Sequence, residues 1–201
     1  MSAFLEIPAA APRTLVFDPP LSDEEFEKLC QANDAFLERT KEGIIRMNAP
    51  AGGSSSSGNN EISRQLGNWW IRHRRGRVFD SSGGFFLQDG SVLSPDASYI
   101  TAEQAATLTR DDLAHSLRLA PAFIIELRSP SDRLAEVQQK MEDWIANGVQ
   151  LGWLIDPEAR QAHVYRPGMQ PLVESGLQIP GSGPIEGFVL DLEEVWRCYE
   201  V

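Results

Sequence analysis

Several things are scarce in this chain, and each shortage excludes something. Cysteine is the first. Cys30 and Cys198 are the only two and lie far apart, so neither a disulfide framework nor a cysteine-built metal cluster is on offer. No apolar run approaches the roughly eighteen residues that a bilayer demands, which removes a spanning helix and any membrane role built on one. The stretch MSAFLEIPAAAPRTLVFDPP has neither a basic start nor a continuous apolar segment, so it does not read as a signal peptide, and a cytoplasmic location is expected. Positive charge is also short. Eighteen Lys and Arg against 29 Asp and Glu leave a formal charge of −11 and a pI near 4.7. That argues against a broad surface tracking a phosphate backbone, yet leaves room for a small site where bound cations offset acids. Gly-Lys-Ser/Thr is absent, so there is no Walker loop. His73 has no second His or Cys at ligand spacing, and no helix-turn-helix or zinc module is present to read bases.

What is present suffices for one good core. The 201 residues are 42% hydrophobic and include five Trp and nine Phe, large pieces for a single domain over residues 21–201. Residues 1–20, rich in Ala and Pro, read as an N-terminal arm with a short edge strand near Leu15–Phe17.

The most informative stretch is FIIELRSPSD, from Phe123 to Asp132. Phe123, Ile124, Ile125 and Leu127 read as a strand buried on both faces. Such a strand has no cheap place for a carboxylate, so Glu126 needs a partner, a metal or a raised pKa. Ser129-Pro130-Ser131-Asp132 ends the strand and offers Ser131 or Asp132 as a helix N-cap. An acid near the end of a central strand, with a helix starting just beyond, is where α/β sheets tend to place chemistry.

The remaining elements follow from local signals. Ser22 followed by Asp23, Glu24 and Glu25 marks a helix start that runs to about Ala32, with Phe26 and Leu29 inward. Phe36 to Met47 reads as a hairpin around Lys41-Glu42-Gly43, where an isolated acid is ordinarily solvated. AGGSSSSGNN, Ala51 to Asn60, reads as a mobile loop leading into a helix that carries Ile62, Leu66, Trp69, Trp70 and His73 at helical spacing. That helix ends in the densest positive patch, Arg72, Arg74, Arg75 and Arg77. The patch serves either the helix dipole or a nucleic-acid backbone, and local sequence does not choose between them. Arg77–Asp80, Phe85–Gln88 and Asp96–Thr101 read as successive strands of one sheet. After Asp132, Leu134, Val137, Met141, Trp144 and Ile145 form an amphipathic stripe, and Lys140 falls on its border. Val149–Pro157 and Gln161–Pro167 form a hairpin in which His163 reads as a sheet-surface residue, and weaker signals mark a strand near Leu172-Val173 and a helix over Leu192–Tyr199.

Asp96 and Glu126 are ambiguous one by one, but together they make a pattern. An acid follows Pro95, a second lies inside a buried strand, and a Lys stands on the next helix. Two carboxylates brought close cannot both stay ionised without a cation, and Mg²⁺ is the hard, oxygen-seeking ion that suits them.

The string PD…ELRSPSD…KMEDWIANGVQLGWLIDP resembles the Uma-type family of restriction-endonuclease-like proteins, within the PD-(D/E)xK nuclease superfamily. The resemblance runs from about Leu21 to Trp196. It implies an α/β (α+β) fold with a mixed central sheet flanked by helices. It also implies a DNA endonuclease that uses Mg²⁺, or Mn²⁺ as a substitute, and works as a homodimer. By position Asp96 and Glu126 match the two motif acids, the Leu127 carbonyl matches a backbone metal ligand, and Glu42 matches an acid before the first long helix. The motif Lys is replaced by Arg128, which cannot act as a base; Lys140 on the following helix matches the displaced Lys. Within this reading Arg72, Arg74, Arg75 and Arg77 contact the DNA backbone. Two other classes compete: a non-catalytic binding or assembly protein on a degenerate nuclease scaffold, and a metal-dependent hydrolase of a small phosphorylated substrate.

Overall fold

The computed structural model describes residues 14–33, 36–48 and 50–200. The N-terminal arm therefore lies mostly outside the described residues. In chain order the elements are β1 (Thr14–Leu15), α1 (Asp23–Ala32), β2 (Phe36–Arg39), β3 (Ile45–Asn48), α2 (Gly53–His73), β4 (Arg77–Asp80), β5 (Phe85–Phe86), β6 (Val92–Leu93), β7 (Ala97–Ile100), α3 (Ala102–Ala106), β8 (Phe123–Leu127), α4 (Leu134–Ala146), β9 (Leu151–Asp156), β10 (Gln161–Tyr165), β11 (Leu172–Glu174), β12 (Gln178–Pro180), β13 (Val189–Asp191) and α5 (Leu192–Arg197).

The main sheet has the order β11-β10-β9-β8-β7-β4. Only β8 and β9 run parallel, with α4 as their crossover; the other neighbours are antiparallel. This is the expected mixed sheet flanked by helices. The period of two along β8 divides its side chains between two cores. Phe123, Ile125 and Leu127 join Ile62, Leu66 and Trp69 of α2 and Val195 and Trp196 of α5 on one face. Ile124 joins Met141 and Trp144 of α4 on the other. All five residues of β8 are buried, which leaves Glu126 to be satisfied by protein groups.

Ser22 caps α1 as expected. Its hydroxyl accepts from the Glu25 N–H while the Glu25 carboxylate accepts from the Ser22 N–H, a complete capping box. Four other readings are corrected. Phe85 and Phe86 do not join the main sheet; β7 already has β4 and β8 on its two edges, so β5 pairs with β6 in a second sheet of order β1-β3-β2-β6-β5. The serine- and glycine-rich stretch is no mobile loop but the opening turns of α2, anchored where Ser55 and Gly58 are buried. The helix approaches β8 closely at Gly58, where a Cβ would lie 2.8 Å from Leu127 Cδ2 and would push that side chain aside. The N-cap of α4 is Arg133, not Ser131 or Asp132. The Asp132 carboxylate turns back instead to accept from the Ser129 N–H at 2.9 Å. His163 is buried, between Leu154 and Val173 in register, because β10 is an interior strand; burial pulls its imidazole pKa down.

Candidate active site

Alternation along β8 turns Glu126 to the α4 face of the sheet, the side of Ile124. Two residues of α4 one turn apart meet it there. The Trp144 indole N–H donates to Glu126 Oε1 at 2.9 Å, and the Lys140 ammonium forms an ion pair with the same oxygen at 2.9 Å. Lys140 also forms an ion pair with Glu38 Oε1 and donates to the Ser94 carbonyl, each at 2.9 Å. Asp96 stands at the start of β7, where its Oδ2 accepts the Leu127 N–H at 2.7 Å and its Oδ1 accepts Asn59 Nδ2 at 2.8 Å. These bonds tie β7, β8 and α2 together at one corner of the sheet.

Asp96, Glu126, Leu127 and Lys140 are thus brought together. Glu42 is not among them. It lies exposed in the turn between β2 and β3, where the Thr40 hydroxyl holds its carboxyl below the ordinary range. The acid of this hairpin that reaches the cluster is Glu38. Pairing of Arg39 with Val92 docks β2 on β6 and sets Glu38 beside Ser94, whose N–H donates to Glu38 Oε1 at 2.9 Å. Asn48 across the hairpin donates to Glu38 Oε2 at 3.2 Å. An acid inside the strand pattern Phe36-Leu37-Glu38-Arg39 carries the same signal that singled out Glu126. Asn59 lay hidden in the stretch read as a loop.

The electrostatics follow from burial. Desolvation pushes Glu126 up to about 8, with the neighbouring Asp96 and Glu38 adding to the rise and Lys140 opposing it. Desolvation also raises Asp96, against the Leu127 N–H, Lys140 and Asn59. Glu38 goes the other way: burial pushes it up, but Lys140, the Ser94 N–H and Asn48 together hold it below the ordinary range. Burial would lower Lys140, yet the charges of Glu126 and Glu38 outweigh it and keep the ammonium protonated.

These groups line a cavity of about 700 Å³ between the two sheets and the start of α2. With all three carboxyls ionised, Glu38, Asp96 and Glu126 against one ammonium carry a formal charge of two minus, which one divalent cation would cancel. The donors are all oxygen, the preference of Mg²⁺ and Mn²⁺. The residues therefore fit such an ion in chemistry and charge. Among the described residues no three of His, Cys, Asp and Glu stand together as a ready metal shell; Lys140 bridges two of the three acids.

The two acids of the hairpin should separate cleanly on mutation. Glu38→Gln removes a buried charge that Lys140 is bonded to, and should cost about 1–3 kcal/mol of stability. Glu42→Ala should leave stability indistinguishable from wild type, as surface substitutions generally do. Urea denaturation followed by circular dichroism measures both; equal losses would remove Glu38 from its assigned place.

Comparison with known proteins adds to this geometry. A crystal structure described as that of "a putative nuclease belonging to DUF820" from Anabaena variabilis superposes with a TM-score of 0.74 and 22% sequence identity. The match covers 89% of this chain and 99% of that one, and it establishes the fold. No curated protein matches the chain. The model of the Uma2 family, described as "Putative restriction endonuclease", matches residues 23–193, from the first residue of α1 into α5. The match spans Asp96, Glu126, Lys140 and the whole main sheet, and the chain belongs to the Uma2 family.

Proposed function

We propose that the protein is a divalent-metal-dependent DNA endonuclease that hydrolyses phosphodiester bonds. One observation carries the reading: Asp96, Glu126 and Lys140 converge on a polar cavity at the end of the central strands, in a chain of the Uma2 family. Asp96 and Glu126, with the Leu127 carbonyl, would hold a Mg²⁺ ion, and Mn²⁺ would substitute. When bound, the ion supplies activation of water and stabilisation of charge on phosphate. The chain's own groups do the positioning. The Leu127 N–H and Asn59 lock the Asp96 carboxylate, and Trp144 and Glu38 fix the orientation of Glu126 and Lys140. Lys140 and Arg46 are the cations lining the cavity among the described residues, and they oppose the negative charge of a phosphodiester there. Water adds to phosphorus and a P–O ester bond breaks.

Arg72, Arg74, Arg75 and Arg77 stand at the far end of α2 from Asn59. From Asn59 to Arg72 the helix rises roughly 20 Å, a span that a duplex lying along α2 crosses. On this reading the basic cluster grips backbone away from the cut. A homodimer would present one such site to each strand.

A second reading is a binding or assembly protein on the nuclease scaffold. The charge of −11 and the engagement of Glu126 and Glu38 by Lys140 favour it. Incubating supercoiled plasmid with wild type and Asp96→Asn, in Mg²⁺ and in Mn²⁺, decides between the two. Nicking that needs the metal and is lost in Asp96→Asn supports the nuclease. Absence of nicking with either ion, or nicking that survives Asp96→Asn, would overturn it.

A further inference from the structure

The Lys140 ammonium is enclosed by three oxygens. It donates a hydrogen bond to the Ser94 carbonyl and forms ion pairs with Glu38 Oε1 and Glu126 Oε1, each at 2.9 Å. Held in this way, the ammonium is engaged by protein oxygens. Among the described residues it also supplies the one positive charge in contact with Glu38 and Glu126, which are 5% and 6% exposed. Trp144 adds a neutral donor to Glu126, and Ser94 and Asn48 add neutral donors to Glu38. Two buried carboxylates that share one ammonium form a closed ion cluster, and removing one charge from it leaves the others uncompensated.

We infer that Lys140 is a resident counter-ion: a divalent cation entering the site displaces its ammonium from Glu126, and the displacement opens one side of that ammonium to the cavity it lines. Glu38, on a different sheet, keeps hold of the ammonium, so the Lys is retained when the cation is loaded. Loading the metal and freeing the Lys thereby become one event. The inference rests on the assignment of Asp96 and Glu126 as metal ligands, but not on cleavage.

A cation that must displace an ion pair binds more weakly than the same acids would bind it alone. The test is Mn²⁺ binding to the EDTA-treated full chain, by calorimetry and by the electron paramagnetic resonance of free Mn²⁺, in mildly alkaline buffer to limit proton competition. Lys140→Gln should bind Mn²⁺ tighter than wild type by about tenfold or more, since an opposing charge is gone. Lys140→Arg, which keeps the charge, should bind no tighter than wild type. Equal or weaker binding by Lys140→Gln overturns the inference. If Glu126→Gln at the same time abolishes Mn²⁺ binding, the metal assignment survives and only the role of Lys140 falls. If no form binds Mn²⁺, both fall.

A measurement on the unmutated protein guards against a variant that does not fold. The chain has three lysines, Lys28, Lys41 and Lys140, so the Lys140 Nζ resonance can be assigned in a ¹⁵N spectrum. It should exchange slowly without metal, then shift and exchange faster as Ca²⁺ saturates the site. A Lys140 signal that Ca²⁺ leaves unchanged overturns the inference.

Discussion

Glu126→Gln is expected to lower metal-dependent nicking of plasmid by about 10²–10³-fold while making the metal-free protein more stable at alkaline pH. The loss of activity follows from its place. Glu126 is the acid that brings Lys140, Trp144 and the cavity together, and on the proposed function its charge would help to hold a divalent ion. Glutamine keeps the shape and can still accept from Lys140 and Trp144, so the effect is one of charge. The gain in stability follows from the pKa. Burial, with Asp96 and Glu38 nearby, raises Glu126 from the ordinary carboxylate range to about 8. Between those values the folded state holds a proton that the unfolded state has lost, so the slope of stability against pH is negative. The contribution is complete below the ordinary range and disappears as pH climbs through about 8. In Glu126→Gln that fall is missing. Thermal melts in EDTA across this window measure it; a wild-type decline that persists undiminished in Glu126→Gln would contradict the burial and repulsion assigned here.

Trp153→Ala is expected to be the most destabilising of the substitutions considered, at about 3–5 kcal/mol. Trp153 is fully buried at the centre of β9. It stacks on Phe188 at 5.7 Å between ring centroids and meets Phe123 edge-on at 4.9 Å. Phe188 in turn packs against Trp69 of α2. Removing the indole opens a cavity where the central sheet, α2 and the segment before β13 all meet, and these large rings can collapse into it only partially. At about 2–4 °C per kcal/mol for a chain of this size, Tm should fall by roughly 6–20 °C. Trp153→Phe should lose less than half as much. Differential scanning calorimetry of the three proteins checks the order, and a near-neutral Trp153→Ala would mean that the aromatic cluster is not the centre of the core.

Much of this fold was legible in the chain because its signals are local. The apolar run Phe123–Leu127, the stripe from Leu134 to Ile145, the capping box at Ser22 and the β9–β10 hairpin each depend on residues within a few positions of one another. The problem of Glu126 was local too, since an acid in a doubly buried strand demands a partner wherever that strand is placed. The pairing with Asp96 and the displaced Lys140 came from the family pattern, and the structure brings those residues together.

What the tertiary structure alone decided depends on which element covers which. Glu38 and Glu42 sit four residues apart in one hairpin; pairing of β2 with β6, more than fifty residues away in the chain, carries Glu38 into the cluster and leaves Glu42 in solvent. A run of serines and glycines has weak helix propensity, so Gly53–Asn60 becomes helical through the docking of Ser55 and Gly58 against the core, which its composition cannot show. The border position of Lys140 on α4 came from helical geometry, but the three oxygens around its ammonium come from two separate strands and a loop. Periodicity records which face of an element must be buried. Only the packed molecule supplies the partner, because the free energy that selects it comes from contacts between residues far apart in sequence.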